Sequence, residues 1–261
     1  MASGVRSVVS RRGPESLPFH SGPPPVLFCA VPSVGLVTAL REHPRRAGRH
    51  VVEIDGVPVG PVSAEVVGEL GIRMGCAVDD AMIARLMAAA RAVACYDRAL
   101  DALARRSRSR VDLGRWLRAR DYRAVEIEPT LDRLTALGLL DDLAFARGYA
   151  HARTVGRGYG VRRVAAELAH QGVARPIVDE VLRELREVAG GSEGYDEHDA
   201  LVAAAEKRFR SLQKSGLDPR VAQRRLFAWL VRRGFAPGDS AQVSRRLTAR
   251  LRSNEAWCLP D

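Results

Sequence analysis

Aromatic side chains are scarce in this 261-residue chain, at 5%. Its stock is Ala, Leu, Val and Arg, which suits helices better than strands. Cysteine is sparse too: Cys29, Cys76, Cys95 and Cys258 form no Cys-x-x-Cys pair, and no histidine stands at a metal-ligand offset from them. That argues against zinc and against a disulfide framework, and it suits a reducing, cytoplasmic compartment. The six histidines are scattered, none at a spacing from Ser or Cys that suggests a triad. No apolar run approaches the roughly 18 residues of a membrane span. Val26–Val31, flanked by Pro25 and Pro32, is too short for the core of a signal peptide. Gly156–Gly160 lacks the Gly-Lys-Ser/Thr ending of a phosphate loop and reads as a turn between helices. These absences predict no catalysis, no cofactor, no metal and no membrane.

What is present is positive charge and helical periodicity. The formal net charge is +10, and arginine supplies most of the cations. A charge of that size favours a polyanionic partner: nucleic acid, an acidic protein groove or an anionic membrane surface. The charge is unevenly spread. Thirteen Lys/Arg face four Asp/Glu over 199–252, whereas eight face seven over 141–190.

Residues 1–33 carry Pro, Gly, Ser and Arg without periodicity and read as a disordered extension. Residues 34–78 read as a small β-hairpin plus a short helix. Asp55-Gly56 is a two-residue hairpin signal after the alternation at Val52–Asp55, 36–41 can add a strand, and Ser63 can cap a helix that stops at Gly71. Two or three short strands are expected. From Asp79 or Asp80 a long Ala/Leu/Met helix runs to about Arg106, with Ile83, Leu86, Met87 and Ala90 on one face.

One pattern then occurs three times: Leu117-x3-Asp121-Tyr122, Leu168-x3-Gly172-Val173 and Leu230-x3-Gly234-Phe235. Each reads as a helix C-terminus, with a left-handed turn residue and an apolar residue that folds back onto the helix. Asp121 stands where the other copies have Gly, at a cost of about 1 kcal/mol. Leu134, Leu185 and Leu247 follow twelve residues after each apolar residue. The reading is mainly α: tandem three-helix repeats in an elongated array behind the small N-terminal domain. Repeat one spans 94–140 and is entered by the linking helix 79–106. Repeat two spans 141–189, a flexible linker 190–198, a basic repeat three 199–252 and a tail 253–261.

Gly138-Leu-Leu-Asp-Asp-Leu-Ala-Phe-Ala-Arg147, Gly160-Val-Arg-Arg-Val-Ala-Ala-Glu-Leu168 and Arg224–Phe235 resemble, in order, motifs of the RecX family of regulatory proteins. The resemblance covers about 94–252. Residues 36–93 are similar to the N-terminal part of longer members, and Asp121 departs from the family's usual Gly. It implies a protein that binds the recombinase RecA, lodges in the groove of the RecA filament on single-stranded DNA, and suppresses strand exchange, ATP hydrolysis and co-protease activity, with no cofactor.

The partners expected are RecA, its DNA filament and single-stranded DNA, with the chain acting as a monomer. The alternative is a helical DNA-binding regulator that acts without RecA. Candidate contacts are Lys207, Arg208, Arg210 and Lys214 on the first helix of repeat three, and Arg224, Arg225, Arg232 and Arg233 on its second. Phe209, Phe227 and Trp229 read as core. Asp141-Asp142 reads as a helix cap rather than an acid/base or metal pair.

Overall fold

A computed structural model describes residues 34–44, 46–188 and 195–255, with side chains to 249. The expected extension 1–33 and the glycine-rich part of the linker, 189–194, lie outside the described residues, as do the last residues of the tail, 256–261.

Strands β1 (Val34–Glu42), β2 (Arg49–Ile54), β3 (Val57–Ser63) and β4 (Ala77–Asp79) form one antiparallel sheet in the order β3-β2-β1-β4. Asp55-Gly56 makes the β2–β3 turn, as the sequence predicts. The count of two or three strands is corrected to four. The three-residue β4 pairs with the start of β1, Val34 with Asp79 and Leu36 with Ala77.

Period-two alternation puts Val52 and Ile54 with Val37 on one buried face, and a register shift in the β2–β3 pairing lets both Val59 and Val62 join it. That face packs on the first half of α2 (Asp80–Arg105) through Ile83, Leu86 and Ala90. Between β3 and β4 lies the short helix α1 (Ala64–Glu69). Ser63 caps α1 through Val66 N, and Asp79 caps α2 through Met82 N.

The second half of α2 enters a separate core. Cys95, Ala99 and Ala102 pack with Leu113, Leu117, Ile127, Leu131 and Leu134 from α3 (Arg110–Arg118) and α4 (Ala124–Ala136). Glu126 of α4, almost wholly buried, holds α2 to this unit: it accepts from Arg91 Nε at 2.6 Å and from the Arg123 backbone N–H at 2.6 Å. Burial alone would raise the Glu126 pKa, but these hydrogen bonds outweigh it and hold the carboxyl below its ordinary value.

The second unit is α5 (Asp142–Thr154), α6 (Val161–His170) and α7 (Arg175–Val188). The third is α8 (Glu197–Gln213), α9 (Pro219–Arg232) and α10 (Pro237–Glu255). Each has its own core, and the principal helix packing lies within units. Two boundaries shift from the sequence expectation. The first helix of the third unit begins at Glu197, capped by Asp196, and its last helix continues to Glu255 rather than stopping at 252, while Tyr195 is buried in the core of the second unit.

The middle helices α3, α6 and α9 end alike. Tyr122 N, Val173 N and Phe235 N bond back to the carbonyls of Leu117, Leu168 and Leu230, and Asp121, Gly172 and Gly234 have φ of 64°, 82° and 92°. These ends also join the units. At the first junction Ser109 Oγ donates to Gln171 O at 2.5 Å, and Arg115 Nη1 to His170 O at 2.9 Å. Asp142 there accepts from Arg110 N at 2.7 Å.

At the second junction Gly160 N donates to Arg233 O at 2.9 Å, and Arg163 Nη1 to Arg232 O at 3.3 Å. Glu197 accepts from Val161 N at 3.1 Å. The positive N-terminus of one middle helix thus meets the negative C-terminus of the next, and the orphan groups of both are satisfied together.

The turn glycines lie in these contacts. A Cβ on Gly172 would strike Val111, and one on Gly234 would strike Arg163. Asp121 has no preceding repeat against its turn, so its Cβ and carboxylate stand exposed. At the other end Asp218 caps α9 itself and Pro219 fills the first helical position, where it has no N–H to satisfy.

Candidate basic interface

The structure divides the eight predicted contacts into two sets. Lys207, Arg208 and Arg233 line a groove of about 690 Å³ at the second junction, with Arg157, Tyr195 and Trp229. Arg210, Lys214, Arg224, Arg225 and Arg232 stand exposed on α8 and α9, outside it. Lys207, Arg210 and Lys214 recur at helical spacing along one face of α8. Asp196 and Asp199 also line the groove, but Asp196 is engaged in capping α8.

Arg233 is a structural residue as much as a candidate contact. Its guanidinium donates to Gly158 O at 3.1 and 3.3 Å and to Arg157 O, and it lies 4.7 Å from the Tyr159 ring centre and 4.8 Å from that of Trp229. Burial pushes its pKa down. Tyr195 OH donates to Tyr159 O at 2.9 Å, and burial raises that phenol's pKa. Arg208 rests 6.0 Å from the Trp229 ring centre, with its Nε buried and unpartnered. Phe209 is buried in the core as expected. Trp229 is packed against that core and also carries two arginines, a role that its reading as core residue misses.

Ion pairing separates the second and third units. In the second, Arg147 pairs with Glu184 at 2.7 Å, Arg153 and Arg163 with Glu167, Arg175 with Asp179 and Arg183 with Glu187. Burial alone would raise the Glu167 pKa, but hydrogen bonds from Arg163 and Tyr149 and the nearby arginine charges bring it below its ordinary value. In the third unit, among the described residues, none of Lys207, Arg210, Lys214, Arg224 and Arg225 has an ion pair. Their charge is offered to solvent or to a partner.

The carboxylate pair works as caps. Asp141 accepts from Leu143 N and Ala144 N, and Asp142 from Arg110 N across the first junction. Among the described residues no group of three His, Cys, Asp or Glu is placed to hold a metal ion, and no helix is long and apolar enough to cross a membrane.

Three family profiles match the chain: the first three-helix domain of RecX over 95–134, the second over 141–182 and the third over 195–243. A regulatory protein RecX from Chlorobium phaeobacteroides is 30% identical over 158 residues, 60% of this chain and 94% of its own length. One from Levilactobacillus brevis is 29% identical over 223 residues, 85% of this chain and 80% of its own. One from Mycobacterium ulcerans is 36% identical over 141 residues, 54% and 77% of the two chains. A crystal structure of a regulatory protein RecX, 22% identical, shares the fold with a TM-score of 0.62 over 81% of this chain and 99% of its own. With three consecutive domain matches on three units whose middle helices end in the same left-handed turn, the chain belongs to the RecX family of regulatory proteins.

Proposed function

We propose that this chain is a non-catalytic modulator that binds RecA and its filament on single-stranded DNA, and that it inhibits recombinase, ATPase and co-protease activity. The observation that carries the reading is the contrast in ion pairing. The third unit repeats the turn geometry of the second, yet leaves its exposed cations without carboxylates. Stability does not call for that, because exposed like charges repel.

The contact surface is α8 and α9, reaching phosphates or an acidic filament surface, and the protein acts as a cytoplasmic monomer. Arg208 and Arg233 are set apart from the test because they also rest on Trp229 at the second junction. Changing Lys207, Arg210, Arg224 and Arg225 together to Glu leaves helical content intact, since all four are exposed. At about 150 mM salt, where the screening length is about 8 Å, this variant should lose most suppression of RecA ATPase. A folded variant that suppresses RecA as well as the parent does would sink the reading.

A further inference from the structure

The two junctions carry equivalent grooves, and the second lacks what fills the first. The caps Asp141 and Asp196 correspond in the repeat, as do the fully buried Ala150 and Ala205. The same register on α5 and α8 pairs Phe145 with Ala200, Gly148 with Ala203, Tyr149 with Ala204 and Arg153 with Arg208. Each of these residues lines the groove of its own junction.

In the first groove, of about 590 Å³, Phe145 meets Tyr149 at 5.8 Å between ring centres and a tilt of 37°. Arg153 donates to the Tyr149 hydroxyl at 2.9 Å and lies 3.3 Å from a Glu167 carboxylate oxygen. Both rings and the carboxylate thus come from within the unit. In the second groove, of about 690 Å³, both rings are replaced by methyl groups. Trp229 stands in place of Glu167, each one residue before the buried leucine of its middle helix. It brings one ring back from α9, but among the described residues no second ring pairs with it as Phe145 does with Tyr149.

Arg208 keeps neither partner of Arg153. Among the described residues it has no hydrogen bond and no ion pair, its Nε is buried without an acceptor, and it rests 6.0 Å from the Trp229 ring centre. Lys207 and Arg157 line the same groove, exposed and, among the described residues, without an ion pair. Val155, 52% exposed, adds an apolar wall. An apolar floor with room beside an indole, edged by cations that lack carboxylates, is complementary to an aromatic side chain flanked by acids.

We propose that the groove at the second junction docks an acidic peptide segment of a partner protein, which inserts one aromatic side chain over Ala200, beside Trp229, and sets its carboxylates against Lys207, Arg208 and Arg157. The inserted ring takes the place that Phe145 holds within the chain at the first junction, and the carboxylates that of Glu167. A nucleic-acid strand fits less well. Asp199 stands exposed in the groove about two helical turns before Lys207, some 12 Å (about 1.5 Å per residue) along α8, and repels a phosphate chain that runs the groove's length. A base stacks on an open ring face, whereas Arg208 and Arg233 already lie against Trp229. A phenyl ring needs only a tilted edge contact, such as Phe145 makes. The proposal stands apart from the RecA reading, and its test contains no RecA.

The test uses the full chain. A display library of random short peptides is selected against it, and the Kd of a selected peptide is measured by fluorescence anisotropy. The selected sequences should carry an aromatic residue beside Asp or Glu. Three variants should each raise the Kd roughly tenfold or more. Ala200→Phe fills the groove from within, as the first junction does. Ala203→Glu, at an exposed position, sets a carboxylate one turn before Lys207. Arg208→Met keeps an apolar stem against Trp229 without the charge. The charge-matched Arg175→Gln in unit two should leave the Kd unchanged.

A library that yields no binder, or binders without an aromatic residue or without acids, overturns the site. So does a selected peptide that Ala203→Glu binds as tightly as the parent. Because Ala203 is exposed, that variant decides the matter even if Ala200→Phe does not fold. An oligothymidine that displaces the selected peptide, and whose own binding Ala203→Glu abolishes, would make the groove a nucleic-acid site and overturn the proposal as well.

Discussion

At the first junction the tight approach is between a glycine and a side chain, Gly172 against Val111. At the second, glycine meets backbone: a Cβ on Gly160 would strike the carbonyl group of Gly234, and one on Gly234 the backbone nitrogen and Cβ of Arg163. Both junctions keep the same three polar contacts, to two C-terminal carbonyls and one N-terminal N–H. What recurs is backbone chemistry at helix ends, which any sequence with the right caps can make. The residues around those ends are free to differ, and there the second junction gains Arg233 and its aromatic bed while the first has Gln171.

The largest effect that separates the junctions comes from the glycines. Gly234→Ala should cost about 3 kcal/mol or more in chemical denaturation, since it adds strain at positive φ to an unyielding clash. Gly172→Ala should be largely rescued by Val111→Gly, leaving about 1–2 kcal/mol for the left-handed conformation alone. Equal losses in Gly234→Ala and the rescued double variant would show that the second junction does not close as described.

A smaller effect should come from Arg233→Met, which keeps an apolar stem over Trp229 but removes the bonds to the carbonyls of Gly158 and Arg157. A loss of about 1–2 kcal/mol is expected, against a near-neutral Gln171→Met at the equivalent place in the first junction. A urea midpoint unmoved by Arg233→Met would remove this arginine from the account of the second junction. Smallest of all is Asp121→Gly. No repeat docks on that turn, so relief of the left-handed aspartate should raise stability by about 0.5–1 kcal/mol, less what the unfolded chain gains in freedom. A fall in melting temperature would mean that the Asp121 side chain makes a contact of its own.

Local chemistry was legible in the sequence. Ser63, Asp79 and Asp141 cap the helices that follow them, Asp55-Gly56 turns the hairpin, and Gly172 and Gly234 hold the left-handed conformation. Each depends on neighbours within a few residues. β4 is not legible because three residues carry no periodicity, and only their pairing with Val34–Leu36 of β1 makes them a strand. The start of α8 was placed late because the glycine-rich run hides a cap at Asp196.

The basic surplus of the third unit could be counted, but not its division. Whether Arg233 faces a partner or the carbonyl of Gly158 is set by a contact 75 positions away in the chain. The arginines at Trp116 are separated in the same way, Arg98 on α2, Arg108 in the loop before α3 and Arg120 in the turn after it.

Helix α2 has a consequence for how the molecule melts. Its first half completes the core of the sheet with Ile83, Leu86 and Ala90, and its second half completes the first unit with Cys95, Ala99 and Ala102. Opening either core removes a wall of the other, so sheet and first unit form one cooperative block. The second and third units join through helix ends and small contacts, and as in other linear arrays their coupling is a nearest-neighbour quantity. Hydrogen exchange should therefore show amides of β2 and α3 opening together, at a free energy distinct from that of α9.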